Sequence, residues 1–155
     1  MESFQSSDYR TKCWNSALTL LSYRMRSRGE ITERLVRKGY CRDEIDITIT
    51  RLKELSLIND REYAEAWVRS YPNKSKRVLL HDLHAKGVSE EDISFIDLGD
   101  DQQKADSLAQ KKMRVLGTED IDSKKKMYTY LQRRGFDHDT IIKTVRSLFP
   151  MIDET

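Results

Sequence analysis

Few side chains in this sequence could do chemistry. His81 and His84 stand three apart, a spacing that brings two imidazoles to one side of a helix and could in principle chelate a metal ion. Neither Cys41 nor Asp82 is tied to the pair by a recognised ligand spacing, so ordinary surface or groove histidines are the stronger reading. No metal or other cofactor is expected. His138 falls in a first helical turn and reads as plain surface. Glu90 and Glu91 could serve acid–base work, but they fall where a helix start favours negative charge. A phosphate-cradling glycine loop, a zinc-hydrolase helix and a nucleophile elbow are all missing, which argues against an enzyme.

The cations are the better candidates. A base in the last turn of a helix is explained by the helix dipole; a base in the first turn opposes it, by a few tenths to about 1 kcal/mol. Arg28, Lys76 and Lys124 each follow a serine at an expected helix start, in basic surroundings that include Arg24, Arg26, Lys74, Arg77, Lys125 and Lys126. The plain reading is that such charges are solvated and keep the protein soluble. The functional reading is an anionic partner, either a phosphate backbone or an acidic protein groove. On that reading Arg28, Lys74, Lys76, Arg77, Lys124 and Lys125 make the contacts.

These cations are placed by a repeat. "LVRKGYCRDEI", "LHAKGVSEEDI" and "LQRRGFDHDTI" put glycines at Gly39, Gly87 and Gly135, with 87 − 39 = 48 and 135 − 87 = 48. The same shift superposes Ile31, Leu79 and Met127; Leu35, Leu83 and Leu131; Ile45, Ile93 and Ile141; Tyr40, Val88 and Phe136; and Ser27, Ser75 and Ser123. An apolar periodic stretch, then Lys38, Lys86 or Arg134, then glycine is the pattern of a helix end. Ser89 and Asp137 are candidate N-caps for the next helix, and Cys41 is a poor one. Upstream lies a further helix in each copy, with stripes Ala17–Leu18–Leu21–Met25, Ala64–Trp67–Val68–Tyr71, and Ala105–Leu108–Ala109–Met113. Asn59 and Glu62 have capping-box spacing, and Gly117 is a stop. "IDITIT" at 45–50 alternates like a strand, yet Ile45, Ile49, Leu52 and Leu55 make a longer helical stripe, so a helix is expected there and Ile47 is left unexplained. The expectation is an all-α chain: a mobile tail at 1–12 and three-helix repeats at 13–58, 59–99 and 100–149. The tryptophans and tyrosines at helical spacing read as packing residues.

Bulk properties agree. The 155 residues are 37% hydrophobic and 35% charged with only 6 Gly and 2 Pro, which suits a thin-cored, elongated helical array. The net charge of +2 means that anion binding must come from local clustering. Two cysteines form no paired framework, the first dozen residues have no apolar core, and no apolar run approaches the roughly 20 residues of a membrane span. A reduced cytoplasmic setting, a monomer and no membrane partner are expected.

Ser27–Glu30 followed by Leu35, Lys38 and Gly39, then Leu57–Ile58–Asn59–Asp60 leading into "YAEAWVRS" at Tyr63–Ser70, resembles the RecX family of bacterial RecA-regulating proteins. "YLQRRGFDHDTI" is similar to that family's C-terminal end, and the resemblance runs from about residue 14 to 149. It implies a curved array of three tandem three-helix units that binds in the groove of the RecA–DNA filament. There it would limit filament growth, ATP hydrolysis, strand exchange and co-protease function, with no active site of its own. Some members also bind DNA, so single- or double-stranded DNA is a second expected partner. The chain departs from the family pattern at "YPNKSKRVLL", which has Pro72 where a glycine and more bases are common, and at Gly29, which sits in an expected first helical turn. The competing reading is a helical DNA-binding module acting without RecA. Its would-be recognition helices, however, open with "SEEDI" and "DHDTI", which would meet phosphates badly.

Overall fold

The structure, a computed structural model, describes residues 2–150, with side chains from Arg10 onward. Among the described residues there are nine helices and no strand: α1 (Glu2–Tyr23), α2 (Arg28–Arg37), α3 (Arg42–Glu54), α4 (Asp60–Ser70), α5 (Lys76–Ala85), α6 (Glu90–Ser94), α7 (Asp101–Leu116), α8 (Ile121–Arg133) and α9 (His138–Leu148). Helices therefore come in three consecutive sets of three. Met1 and the side chains of 2–9, on which much of the expected tail falls, lie outside the described residues. The backbone from Glu2 continues α1, in a stretch that contains neither proline nor glycine to stop it.

Each repeat column is a structural position. Ile31, Leu79 and Met127 are wholly buried, as are Leu35, Leu83 and Leu131, and the columns of Ile45 and of Ser27 are buried in all three copies. A buried Leu or Ile contributes roughly 1.5–3 kcal/mol each, so these columns hold much of the fold's stability. The three glycine stops share one geometry. Gly39, Gly87 and Gly135 have φ of 91°, 77° and 90°. Tyr40, Val88 and Phe136 N–H donate back to the carbonyls of Leu35, Leu83 and Leu131, and each glycine N–H donates to Val36, His84 or Gln132. These paired bonds satisfy the last free carbonyls of each helix.

"IDITIT" is helical: α3 buries Ile45, Thr48, Ile49 and Leu52 on one face. Ile47 lies on the solvent side, and Leu55 falls beyond the helix end and is exposed, so it leaves the expected stripe. In α1 the buried face is Cys13, Ala17 and Leu20, while Leu18 and Met25 are exposed. Met25 misses the stripe because α1 ends at Tyr23, where the buried Arg26 Nε donates to the Leu20 carbonyl (3.0 Å). The third copy also departs from strict periodicity. Ser27 Oγ caps α2 and Ser75 Oγ accepts from Val78 N–H, but α8 starts earlier, capped by Asp120, so Ser123 lies inside the helix.

The chain forms two compact units, Met1–Trp67 with Leu83–Ile96, and Val68–Asp82 with Asp97–Thr155. The first is built on Cys13, Ala17, Ile31, Leu35, Ile45, Ile49, Leu52 and Ile58, with Trp14, Leu21 and Tyr40 packed against them. In the second, Ala105, Leu108, Ala109, Met127, Leu131, Phe136, Ile141, Val145 and Phe149 form the core.

Within each unit a helix start docks on a glycine stop. In the first, Ser27 Oγ donates to the Lys86 carbonyl (2.5 Å), and a Cβ on Gly29 would sit 2.7 Å from that oxygen and 2.8 Å from Gly87 Cα. In the second, a Cβ on Gly135 would sit 2.6 Å from Val78 Cγ2 and 2.9 Å from Ser75 Oγ. Gly29 thus occupies a helical position at some cost in propensity because two backbones meet there.

Candidate partner-binding surface

The expected contact residues stand at the starts of α2, α5 and α8, and the helix start itself is already occupied in two of them. The Arg28 N–H donates to Asp60 Oδ1 (2.8 Å), and the Lys76 N–H donates to Asp101 Oδ1 (2.9 Å). Asp60 and Asp101 are the first residues of α4 and α7. A carboxylate at the positive end of a helix is favourable, and it offsets the cation placed there. Burial pushes the Asp60 carboxyl above its ordinary value, against the Arg28 N–H bond that lowers it. The backbone end of α2 or α5 is therefore no open anion site; what remains for a partner is the side chains.

Those side chains divide. Arg28, Lys76, Arg77 and Lys125 are exposed, and Lys124 is half-buried. Lys74 is tied internally: its ammonium lies 2.7 Å from Asp82 Oδ2 and 3.9 Å from the Tyr71 ring centre. Arg28 belongs to the first unit and the other five to the second. The neighbouring Arg24 pairs with Glu30 (2.5 Å), and the buried Arg26, whose pKa is lowered by desolvation and by Arg24, serves the end of α1. Glu30 also accepts from Tyr63 Oη (2.5 Å). Burial raises the Glu30 pKa, but the Arg24 and Tyr63 hydrogen bonds and the Arg24 and Lys86 charges outweigh it and hold the carboxyl below its ordinary value.

A groove of about 850 Å³ between α2 and α3 includes Arg28, Arg42 and Lys53 but also Glu33 and Asp46, so it carries no single sign. A second hollow, of about 430 Å³ between α7 and α8, is different. It is lined by Lys112, Lys125, Lys126 and Arg133 around Tyr130 and Leu116, with no acidic residue in its wall. The sequence reading picked out Lys125 and noted Lys126 but missed the rest. The signal was there: Lys125, Thr129 and Arg133 recur every four residues along one face of α8, and Lys112 and Leu116 do so on α7.

Lys104, also unforeseen, is a buried lysine whose ammonium donates to the carbonyls of Lys74 (2.8 Å) and Leu98 (2.5 Å). Desolvation lowers its pKa, with Lys76 also lowering it and Asp101 opposing. Two of the three histidines have side-chain partners. His84 Nε2 is 2.9 Å from Glu90 Oε1, and His138, at the surface as expected, has Nδ1 2.8 Å from Tyr128 Oη. Among the described residues no helix is long and apolar enough to cross a membrane.

Sequence models of the RecX first, second and third three-helix domains match residues 13–52, 59–94 and 100–145. The chain is similar to the Regulatory protein RecX of Chlorobium phaeobacteroides (strain BS1), 38% identical over 143 residues, 89% of this chain and 94% of that protein. It is also similar to the Regulatory protein RecX of Mycobacterium avium (strain 104), at 34% identity over 137 residues, 83% of this chain and 79% of that protein. Among solved structures, that of RecX from Lactobacillus salivarius superposes with a TM-score of 0.76 at 29% identity, covering 94% of this chain and 99% of the other.

Proposed function

Since the chain belongs to the RecX family, we propose that it is a non-enzymatic regulator of RecA recombinase that binds in the groove of the RecA–DNA filament. In the same reading it inhibits: it limits filament extension, and with it ATP hydrolysis, strand exchange and co-protease activity. The observation that carries this is that all three three-helix domains of a regulatory family are matched along the chain. The surface supports it. Arg28 and Lys76 keep exposed side chains at helix starts whose backbone N–H groups Asp60 and Asp101 have already taken, so these cations serve no N-terminal need. With Arg77, Lys124 and Lys125 they suit an acidic protein surface; Lys74, paired with Asp82, supports the segment from within.

The test is RecA-catalysed ATP hydrolysis on single-stranded DNA with this protein added below and up to equimolar. Inhibition is expected, and no effect at equimolar protein sinks the proposal. Reversing Arg28, Lys76 and Lys124 together to Glu is expected to weaken inhibition by up to about 100-fold, taking about 1 kcal/mol for each of the three ion pairs with the partner. Helicity by circular dichroism should be unchanged. Full inhibition by that variant would mean that these cations are only solvated surface.

A further inference from the structure

Resting on the reading of this chain as a RecA regulator, we propose that Leu55 and Leu57 form the apolar anchor of its contact with RecA. Exposed cations alone make a weak interface. Three exposed ion pairs are worth about 100-fold in affinity at most, whereas protein interfaces draw most of their strength from a few well-packed side chains near the centre.

The turn that carries the two leucines differs from the other helix stops. Leu55 is the C-cap of α3, and Ser56 follows with φ of 55°, the one positive φ outside glycine among the described residues. Its bonding copies that of the glycine stops: Leu57 N–H donates to the Leu52 carbonyl (2.9 Å) and Ser56 N–H to the Lys53 carbonyl (3.0 Å). A side chain in this conformation carries strain that glycine avoids. After the repeated stops the next residue goes inward: Val88 and Phe136 are buried, and Tyr40 packs on the first core. Leu57 instead is 45% exposed, and Leu55 is 54% exposed. Single exposed apolar side chains are ordinary on a surface. Two on one strained turn, held on either side by the buried Leu52 and Ile58, need a reason outside the fold. Because the turn is already fixed, little freedom is lost when a partner covers it.

Continuity and area select RecA as the occupant. Arg28, a partner contact in the reading above, lines one hollow of about 440 Å³ with Lys53 and Ile58, so the anchor adjoins that contact. Asp60, Glu91 and Asp92 share the hollow, which makes it no anion site in its own right. A second copy of the chain fits less well. A stable dimer covers about 800 Å² on each partner, and two half-exposed leucines offer a small part of that.

The test is RecA-catalysed ATP hydrolysis on single-stranded DNA, with the full chain titrated in as native protein, as Leu55→Gln, as Leu57→Gln and as both together. Each single change is expected to raise the half-inhibiting concentration about 10-fold, and the pair about 100-fold. Both positions are exposed, so the variants should melt close to the native chain, and the single variants decide the matter if the double one melts early. Ile47→Gln, at another exposed position of α3, is the control and should inhibit as the native chain does. The ratio of variant to native should hold between about 0.05 and 0.15 M salt, because ions screen charges and not apolar contact. Native inhibition by both single variants, an equal loss in the control, or a loss that vanishes with salt overturns the anchor alone. A native chain without effect on RecA overturns the anchor together with the reading beneath it. Native inhibition by the double variant, joined to loss of a concentration-dependent dimer in sedimentation, would assign the leucines to a second copy instead.

Discussion

Substitution of Gly29 by Ala is a sign test of the helix-on-glycine joint. Gly29 is the second residue of α2 and has helical φ, so in an isolated helix alanine would stabilise it by about 0.5–1 kcal/mol. In the folded chain the added Cβ would stand 2.7 Å from the Lys86 carbonyl oxygen and 2.8 Å from Gly87 Cα, both backbone atoms. Ordinary contact begins near 3.4 Å, so one backbone must retreat by about 3.4 − 2.7 = 0.7 Å. Overpacking of this kind costs about 1–3 kcal/mol, and stretching the bond from Ser27 Oγ to the Lys86 carbonyl costs about 1 kcal/mol more. After the propensity gain the net expectation is about 2 kcal/mol of destabilisation, or roughly 4–8 °C in melting temperature for a chain of this length. The assay is urea unfolding followed by tryptophan fluorescence. Both tryptophans, Trp14 and Trp67, lie in the first unit, so the signal reads the unit that contains the joint. Gly39→Ala is the companion: nothing lies within 4 Å of its Cβ, so only the positive φ is penalised, at about 1–2 kcal/mol. An increase in stability for Gly29→Ala would refute the close approach of α2 to the Gly87 stop.

Two further outcomes follow from buried polar groups. Lys104→Met leaves the Lys74 and Leu98 carbonyls without their donor and is expected to destabilise the second unit by about 1–3 kcal/mol, read by thermal denaturation and by faster amide exchange around 74–76 and 98–101; native exchange there would count against the latch. Glu30 is held below its unfolded value near 4.5, so its contribution is complete above that pH and is lost as pH falls through the lower folded value. Urea midpoints measured from pH 7 down to pH 3 should therefore fall less steeply in Glu30→Gln than in the native chain, and equal slopes would remove Glu30 from the account.

Much of this molecule is written in short-range pattern. The 48-residue interval, the apolar columns of Ile31, Leu35 and Ile45, and the glycine stops all depend on local helix chemistry, and each column is buried where the pattern puts it. Even the strand-like "IDITIT" yields to the longer helical stripe, because Leu52 completes a face with Ile45 and Ile49 that alternation cannot. The site was less legible. Six cations were chosen by their place in the repeat, which says what a residue precedes but not what it meets. Lys74 meets Asp82, and the helix starts beside Arg28 and Lys76 meet Asp60 and Asp101, partners 32 and 25 residues further along the chain.

The sequence by itself determined the secondary structure, the threefold recurrence and the family, since these rest on periodicity and on residues adjacent in the chain. Tertiary structure decided which charges are free. A carboxylate brought across from the next set of helices satisfies an N-terminus, and a glycine costly to its own helix becomes the point where two backbones touch. Lys112 of α7, not singled out in the sequence, and Lys125, Lys126 and Arg133 of α8, of which only the first two were, line a single positive hollow only when the two helices pack together. Electrostatics and close packing depend on distance through space, and spacing along the chain does not supply that.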